Sequence, residues 1–469
     1  MRQAIWILPL LLGSAAQAGQ PAWKEMQNEN FHAYSTASDR DTQGFIDHLE
    51  RVRNFFIQFT GSAPAKPVPV TTVIFGSPKE YQPYRLNAFA TAYYGNHTDR
   101  DFIVVGVLGE QSSQTAAHEY THLVFRHGGY ELPPWLNEGL AEVFSTIHSA
   151  GKDIEFGDVL PGRLQAMNSE PWVPMGIIIA ADHNSPYYNE TKQAGSLYNQ
   201  SWAFVHMLMT TEPYRAKFGA VVQAINNGTP SVEALETAYG MSFAQLEGVL
   251  RSYVTGDRFY KMRMPMKLSG AEKLTSQPAN LFDVHEVLAE LVAGLPGRQA
   301  EARTRLEELT HEDDKRPEPW ASLGYLSLYD GKHEEANDYF AKAFALGNRS
   351  PRLLVDYASM AMRDKPDDAA AALNALLTQE PENLDGRIML AYLQMNQRKY
   401  PEALETVRSI KRVTTVEQRD QLLLLRALAE LNQGHYAEAR TRAEELKRLS
   451  KSSDMLMQAQ SILTAASRE

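Results

Sequence analysis

The C-terminal part of this 469-residue chain repeats a pattern of small residues, and this pattern restricts the possible folds more than any other feature. Alanines recur at intervals of 34, 34, 33 and 36 residues, at Ala302, Ala336, Ala370, Ala403 and Ala439. Twelve residues before the last four lie Gly324, Ala358, Ala391 and Ala427. Small residues at these spacings let two helices of a hairpin approach closely, and each hairpin buries its apolar face on the next. The pattern therefore predicts an all-α solenoid of about four to five helical hairpins.

The sequence around the second alanine is more specific. The run Trp320-Ala321-Ser322-Leu323-Gly324, followed by Ala336, Phe340 and Ala343, closely resembles the tetratricopeptide repeat consensus. That resemblance implies an array that holds a protein partner, or the substrate protein, in its concave face. We place this repeat domain at residues 283–469 and a polar linker at residues 266–282.

A second pattern, His118-Glu119-Tyr120-Thr121-His122, carries chemistry rather than architecture. Residues four apart share a helix face, so His118 and His122 can offer two imidazoles to one metal ion while Glu119 leans over its open side. A catalytic zinc ion takes three protein ligands and leaves a fourth position for water. In the nearby run Trp135-Leu136-Asn137-Glu138-Gly139-Leu140-Ala141-Glu142, Glu138 has the chemistry of a third ligand. Glu142, four residues on, can accept a hydrogen bond from the outward ring nitrogen of a ligand histidine.

Together, the two motifs resemble the gluzincin zinc peptidases, the clan of thermolysin and the zinc aminopeptidases, and within it the bacterial peptidase MA-like family. The resemblance implies an α+β gluzincin-like catalytic domain at residues 19–265 with one zinc ion per chain. It makes His118, His122 and Glu138 the zinc ligands, Glu119 the general base and Glu142 the partner of a ligand histidine. Only 15 residues separate His122 from Glu138, so a tight connection is expected. The alternative is an amphipathic helix with incidental histidines.

Three more residues are candidates for this site or alternatives to it. Tyr198, followed by Ser201 and an apolar run, resembles the tyrosine that opens a helix in the zinc aminopeptidases and stabilises the oxyanion. A packing tyrosine is the alternative. His206 can serve the same role, although a mid-helix histidine among apolar neighbours more often belongs to the core. His127 lacks the spacing of the third metzincin histidine, so we interpret it as the C-terminal end of the motif helix.

Short strands are predicted upstream of the motif, at residues 31–35, 68–75, 93–94 and 102–108, with a helix at residues 41–59. In gluzincins the strand beside the motif commonly pairs with an extended substrate, which makes residues 103–108 the candidate for strand addition. An ordinary core strand is the alternative. Downstream, prolines are expected to interrupt any long helix in a loop-rich region at residues 151–196. No segment matches the Gly-Ala-Met-Glu-Asn sequence that holds a substrate amine, which favours an endopeptidase over an aminopeptidase.

The first 18 residues have the pattern of an export signal: Arg2, an apolar run from Ala4 to Leu12, and a small-x-small cleavage site at Ala16-Gln17-Ala18. No later run approaches about 18 apolar residues, so no transmembrane segment is expected in the mature chain. The absence of cysteine fits a bacterial periplasm better than a eukaryotic secretory route, and secretion is the alternative. The formal charge of -11 argues against nucleic acid and anionic membranes as partners.

The sequence therefore predicts an exported zinc metallopeptidase that cleaves a peptide or protein substrate and binds a protein partner through its repeats. The alternative from another class is a catalytically silent, peptidase-like scaffold that acts through its repeats in the bacterial envelope. A zinc hydrolase that acts on another kind of bond is a third interpretation, because activation of water does not specify the electrophile.

Overall fold

The chain divides into two compact units, Met1–Val284 and His285–Glu469. The structure is a computed structural model that describes residues 22–60, 69–87, 90–96, 100–189, 191–256, 258–265, 274–411, 413 and 415–467. The predicted export signal, residues 1–18, lies outside the described residues. The division falls just beyond the predicted linker at residues 266–282.

The N-terminal unit combines two β-sheets with helices packed around them. Its strands are β1 (Lys24–Gln27), β2 (Phe31–Ser35), β3 (Val70–Ile74), β4 (Ala92–Asn96), β5 (Asp101–Val105), β6 (His148–Ala150), β7 (Asp153–Phe156), β8 (Met262–Pro265) and β9 (Gln277–Pro278). Its helices are α1 (Asp39–Thr60), α2 (Pro78–Tyr81), α3 (Glu110–His127), α4 (Pro134–Phe144), α5 (Pro161–Ser169), α6 (Met175–Ala180), α7 (Pro186–Asn189), α8 (Thr191–Thr210), α9 (Arg215–Asn226), α10 (Ser231–Tyr239) and α11 (Phe243–Thr255), with a 3₁₀ helix at Gln82–Tyr84.

The larger sheet has the strand order β4-β5-β3-β2-β1-β9. Strands β2, β3 and β5 run parallel to one another in the middle, and the outer pairings are antiparallel. The smaller sheet, β6-β7-β8, is antiparallel throughout. The apolar face of α1 predicted from helical spacing is buried in the core, as Phe45, Leu49, Val52 and Phe56 are each at most 3% exposed. The unit therefore has one core between sheet and helices, and α3 and α4 contribute apolar side chains to it.

Part of the predicted linker belongs to the sheet. Gln277 and Pro278 pair with Glu25 and Lys24, so β9 extends the sheet beyond β1. Proline cannot donate a backbone hydrogen bond, which suits it to a strand at the edge of a sheet. The prediction of a linker over residues 266–282 is wrong for these residues, because a short polar segment with proline resembles a linker in sequence. Residues 266–273 lie outside the described part of the chain.

The predicted loop-rich region, residues 151–196, forms β7 and short helices instead. Pro161 and Pro186 are the first residues of α5 and α7, and Pro174 immediately precedes α6. Proline is well placed at the start of a helix, because the N–H that it lacks would have no partner within the helix there. These prolines therefore begin short helices of four to nine residues. The prediction that no long helix forms among these prolines is confirmed, but the prediction that the region is rich in loops is wrong.

The C-terminal unit is helical. Its helices are α12 (Leu281–Gly294), which begins just before the division, α13 (Gln299–Glu312), α14 (Pro317–Tyr329), α15 (His333–Ala345), α16 (Pro351–Ala361), α17 (Pro366–Gln379), α18 (Leu384–Asn396), α19 (Tyr400–Arg408), α20 (Val416–Asn432), α21 (Tyr436–Leu449) and α22 (Ser453–Ala466). Helices α14 to α21 pack as four successive hairpins, α14 with α15 through α20 with α21. The predicted helical solenoid is thus present in this unit.

One alanine of the predicted repeat is displaced by a residue. The fourth residue of α13, α15, α19 and α21 is a fully buried alanine, at Ala302, Ala336, Ala403 and Ala439. The fourth residue of α17 is Ala369, which is fully buried, whereas Ala370 is partly exposed. The buried alanine of α17 follows Ala358 by one residue fewer than the buried alanine follows the small residue in the neighbouring hairpins. An even spacing in sequence therefore predicts Ala370 as the buried position instead of Ala369. In the first of these hairpins, a β-carbon on Gly324 would lie 2.5 Å from the Phe340 ring, which explains the small residue there.

Candidate metal centre

Helices α3 and α4 bring the two sequence motifs together across a short turn. Helix α3 ends at His127, and the backbone N–H of Gly128 donates to the carbonyl of Val124. Gly129 then adopts a φ of 69°, a left-handed conformation that favours glycine. Helix α4 begins at Pro134. The glycines and prolines therefore supply the tight connection that the 15-residue separation predicts.

Three side-chain atoms converge between these helices. His118 Nε2 lies 3.1 Å from His122 Nε2, and Glu138 Oε2 lies 3.4 Å and 3.5 Å from these two nitrogens. Among the described residues, this is the one group of three or more His, Asp and Glu side chains arranged to hold a metal ion. The predicted ligand set is therefore assembled in space as the motif spacing requires.

The distances among these atoms fit a zinc ion. Tetrahedral ligands at bond lengths of about 2.0–2.1 Å lie about 3.3–3.4 Å from one another. The observed separations of 3.1, 3.4 and 3.5 Å are close to this value. Glu138 Oε2 is buried and faces the two histidine nitrogens at 3.4 Å and 3.5 Å, too far for well-formed hydrogen bonds. This arrangement is costly for a carboxylate unless a cation occupies the space between the three atoms. Two imidazoles and one carboxylate are also the donor set of many catalytic zinc sites.

The electrostatics of the cluster favour a positive charge at its centre. Burial acts to raise the pKa of Glu138, but the two neighbouring histidines outweigh burial and hold that pKa below its ordinary value. Burial acts to lower the pKa of His118, but its contact with Glu138 and the charges of Glu142 and Glu119 raise that pKa to about 9. The cluster therefore attracts positive charge at its centre, and a divalent cation would supply that charge.

Both histidines have a partner on the ring nitrogen that points away from the cluster. His118 Nδ1 lies 3.4 Å from Glu142 Oε1, as the sequence predicts for a carboxylate one turn beyond Glu138. His122 Nδ1 donates to Asn137 Oδ1 at 3.2 Å. Partners of this kind fix the tautomer and orientation of metal-binding histidines. Sequence reasoning missed Asn137, although it immediately precedes Glu138 in the same motif.

Glu119 lies beside the cluster on α3. Burial raises the pKa of its carboxylate, and the nearby histidines only partly oppose this effect. Among the described residues, none hydrogen-bonds this carboxylate. A carboxylate with a raised pKa and no partner is suited to accept and return a proton.

Two tyrosines face the cluster, and only one of them was predicted. The ring of Tyr198 lies 6.5 Å from that of His118, and burial raises the pKa of its hydroxyl. The hydroxyl of Tyr188, on α7, donates to Glu138 Oε1 at 3.3 Å, and burial raises its pKa to about 12. Both phenols therefore remain neutral donors at physiological pH. Helix α8 begins at Thr191, so the prediction that Tyr198 lies at the start of its helix is wrong.

The two other histidines considered in the sequence, His206 and His127, do not belong to the cluster. His206 is fully buried, and its ring nitrogens lie 2.7 Å from the hydroxyl of Tyr253 and 2.8 Å from the carbonyl of Gly157. It is therefore a hydrogen-bonded core histidine. His127 is the last residue of α3 and pairs with Asp101 at 2.9 Å. Its interpretation as a C-terminal helix residue agrees with this position.

The strand assigned to substrate pairing is in the interior of the sheet. Strand β5 pairs with β3 on one side and β4 on the other, so its backbone groups already have partners. The prediction that residues 103–108 pair with substrate is therefore wrong for residues 103–105, where the alternative of an ordinary core strand is correct, and residues 106–108 follow the strand. Sequence could not distinguish these two cases, because an apolar strand beside the motif has the same composition at an edge or inside. In the described part of the chain, β4 is the strand at this edge.

A cavity of about 730 Å³ opens beside His122. Its apolar lining includes Tyr94, Tyr130, Ile179 and Ile225. The cavity is large enough to accommodate more than one amino-acid side chain next to the metal cluster.

Gly139 allows α8 to approach the segment of α4 that carries Glu138. A β-carbon at this position would lie 2.4 Å from Val205 Cγ2 and 2.7 Å from the carbonyl oxygen of Ser201. Rotation of a side chain cannot relieve contact with a backbone oxygen. The glycine that follows Glu138 is therefore required for the packing that brings Tyr198 to the cluster.

Replacing Gly139 with alanine should lower the free energy of unfolding by about 1–3 kcal/mol, the usual cost of overpacking a well-filled core. For a unit of this size, the melting temperature should fall by about 2–4 °C per kcal/mol. Thermal denaturation of the full chain measures the change. The matched control is Gly248→Ala, since the space around Gly248 in α11 is open and alanine there should stabilise the helix by about 0.5–1 kcal/mol. A Gly139→Ala protein that melts at the wild-type temperature would contradict the packing argument.

Comparison with known families identifies the C-terminal helices. Residues 360–417, from the end of α16 to the start of α20, match the tetratricopeptide repeat family. The C-terminal unit contains tetratricopeptide repeats. The match agrees with the hairpin order and with the small residues at the hairpin crossings, and it concerns this unit alone.

The curated relative Protein O-mannosyl-transferase Tmtc3 of Drosophila melanogaster is 30% identical over 111 residues, which is 23% of this chain and 12% of that protein. The chain thus matches about an eighth of the length of this relative.

Solved tetratricopeptide structures are similar only over part of the chain. YrrB, described as a tetratricopeptide protein with an unusual peptide-binding site, is 14% identical, with 38% of this chain and 90% of that chain covered and a TM-score of 0.33. A thermophilic tetratricopeptide protein of Thermus thermophilus is 16% identical, with coverages of 39% and 99% and a TM-score of 0.25. Scores this low establish no shared overall fold, so the assignment of repeats depends on the family match and the helix order.

Across the described residues, no helix combines the length and the apolar composition needed to cross a membrane.

Proposed function

We propose that the N-terminal unit is a zinc-dependent metallopeptidase and that the tetratricopeptide repeats bind a protein partner or the substrate protein. The observation that carries the proposal is the convergence of His118 Nε2, His122 Nε2 and Glu138 Oε2 at mutual distances of 3.1–3.5 Å, with Glu119 beside them. The gluzincin resemblance of the two motifs supports the same conclusion. An endopeptidase is favoured over an aminopeptidase, since no amine-binding motif is found.

In this proposal His118, His122 and Glu138 hold one zinc ion, and Glu142 and Asn137 keep the two imidazoles oriented. Zinc at this position supplies a Lewis acid that polarises a carbonyl and makes water a stronger nucleophile at neutral pH. The Glu119 carboxylate accepts a proton from the attacking water and returns it to the leaving amine nitrogen. The hydroxyl of Tyr198 has no hydrogen-bond partner among the described residues and donates to the oxygen that becomes negative as the carbonyl is attacked.

The second candidate is a scaffold that binds protein through its repeats and does not catalyse a reaction. The family match at residues 360–417 supports protein binding and is silent on catalysis, so the comparisons favour this candidate over the peptidase. The geometry of the cluster favours the peptidase. A pure scaffold gains nothing from a buried Glu138 oxygen that faces two histidines without a well-formed hydrogen bond, or from a Glu119 carboxylate whose pKa is raised beside them.

A peptide-library digest distinguishes the two candidates. Purified full-length protein should cleave members of the library, lose this activity with a chelator and regain it when zinc is restored. Cleavage that resists the chelator would contradict a zinc mechanism. A protein that retains zinc and binds a protein ligand through its repeats, but cleaves no peptide, would favour the scaffold.

A further inference from the structure

Arg163 connects the short helix α5 to the metal cluster. Its Nε donates to Glu142 Oε2 at 2.6 Å, and its Nη2 donates to Glu142 Oε1. A third donor, Nη1, reaches Asn199 Oδ1 on α8 at 3.0 Å. The guanidinium thus binds both oxygens of Glu142 in a forked arrangement, which gives the carboxylate one orientation as well as a countercharge.

The orientation of Glu142 matters because the same carboxylate faces a metal-binding histidine. Glu142 Oε1 accepts from Arg163 and also lies 3.4 Å from His118 Nδ1. The side chain of Glu142 is only 8% exposed, so water cannot replace the guanidinium as its partner at low cost. Loss of Arg163 would leave a buried charge that must turn, become protonated or admit water. Each of these changes weakens or misdirects the acceptor that fixes the His118 ring.

Arg163 also contacts the candidate oxyanion donor. Its guanidinium carbon lies 5.4 Å from the centre of the Tyr198 ring, within the range of a cation–π interaction. Asn199, which Arg163 binds, is the next residue on α8. The side chain of Arg163 therefore contacts both Glu142, the hydrogen-bond partner of His118, and Tyr198.

We propose that Arg163 is a positioning residue for the metal centre: it orients Glu142, and through Glu142 the ligand His118, and it holds Tyr198 against the cluster. The inference rests on the proposed zinc site and extends it to α5, a helix in a region that sequence assigned to loops. Arg163 touches no proposed zinc-binding atom, so it acts through its neighbours.

The test is the zinc affinity of full-length protein, measured by competition with a chelating fluorescent indicator. Arg163→Gln should weaken zinc binding by about 10- to 100-fold, the usual effect of removing the partner of a metal ligand. Arg163→Lys keeps the positive charge but cannot bind both oxygens of Glu142 at once, so its zinc affinity should lie between those of Arg163→Gln and the wild type. The control is Arg251→Gln. Arg251 makes the same two kinds of contact, with Glu247 at 2.8 Å and with the ring of Trp172 at 4.5 Å, and its loss should leave zinc affinity unchanged.

A double-mutant cycle separates positioning from a general structural role. If Arg163 acts through Glu142, then Arg163→Gln combined with Glu142→Gln should weaken zinc binding no more than Glu142→Gln alone. Losses that multiply, or a wild-type zinc affinity in Arg163→Gln, would overturn the inference. Equal losses in Arg163→Gln and Arg251→Gln would also overturn it, since both would then reflect the fold. Normal zinc affinity in the wild type without any peptide cleavage would reject the peptidase and leave the role of Arg163 intact.

Discussion

Replacing Glu119 with glutamine should reduce peptide hydrolysis by at least about 10²- to 10⁴-fold, the usual contribution of general acid–base catalysis. Glutamine keeps the shape of the side chain but cannot accept the proton that the attacking water must lose. Because Glu119 is not one of the three converging ligands, zinc content and melting temperature should stay close to those of the wild type. Protein binding by the tetratricopeptide repeats should also be unchanged, since the repeats belong to the other compact unit.

The matched control for this experiment is Glu110→Gln. Glu110 lies in the first turn of the same helix and is exposed, so the same chemical change there should leave the rate unaffected. An undiminished rate in Glu119→Gln would show that Glu119 is not the base. If Glu119→Gln replaces the wild-type protein fully in cells, then catalysis is not the function, and the scaffold becomes the preferred candidate.

Purified wild-type protein should carry about one zinc ion per chain, and His122→Ala should carry almost none. The substitution removes one of three ligand atoms, which should cost more than the tenfold to hundredfold that loss of an orienting partner such as Glu142 costs. Metal analysis after gel filtration in chelator-free buffer measures the content, and circular dichroism establishes that the helices are retained.

His127→Ala is the control for the loss of zinc. His127 lies five residues further along the same helix but pairs with Asp101 outside the cluster, so its removal should leave zinc content unchanged. Absence of zinc from the wild-type protein would contradict the catalytic proposal. Zinc loss in His127→Ala equal to that in His122→Ala would show that the ligand set is wrong.

The parts of the site that sequence could predict depend on short spacings. His118 and His122 lie one helical turn apart, and Glu138 and Glu142 lie one turn apart on the next helix, so local geometry alone puts each pair on one face. The turn chemistry of Gly128 to Pro134 then makes the two faces meet. The metal role of these residues stays a prediction, but their assembly follows from local rules.

The parts that sequence missed depend on contacts between distant segments. Arg163 reaches Glu142 across 21 residues and Tyr188 reaches Glu138 across 50, and no periodic pattern records either contact. The C-terminal unit shows a different limit. Its helices and hairpins follow from the repeat, but the shortened connection before Ala369 shifts the buried position by one residue, which even spacing cannot detect.

The pairing of β1 with β9 has a consequence for anyone who wishes to produce the N-terminal unit by itself. A polypeptide that stops at residue 265, where sequence places the end of the domain, lacks Gln277 and Pro278. Lys24 and Glu25 then keep their partners in β2 but have none on the other side. Bare strand edges of this kind invite pairing between molecules, and therefore precipitation. A chain that continues to Asn280 keeps its own edge covered. Because Trp23 and Ala279 lie side by side, ends placed at these residues can be joined and new ends opened elsewhere.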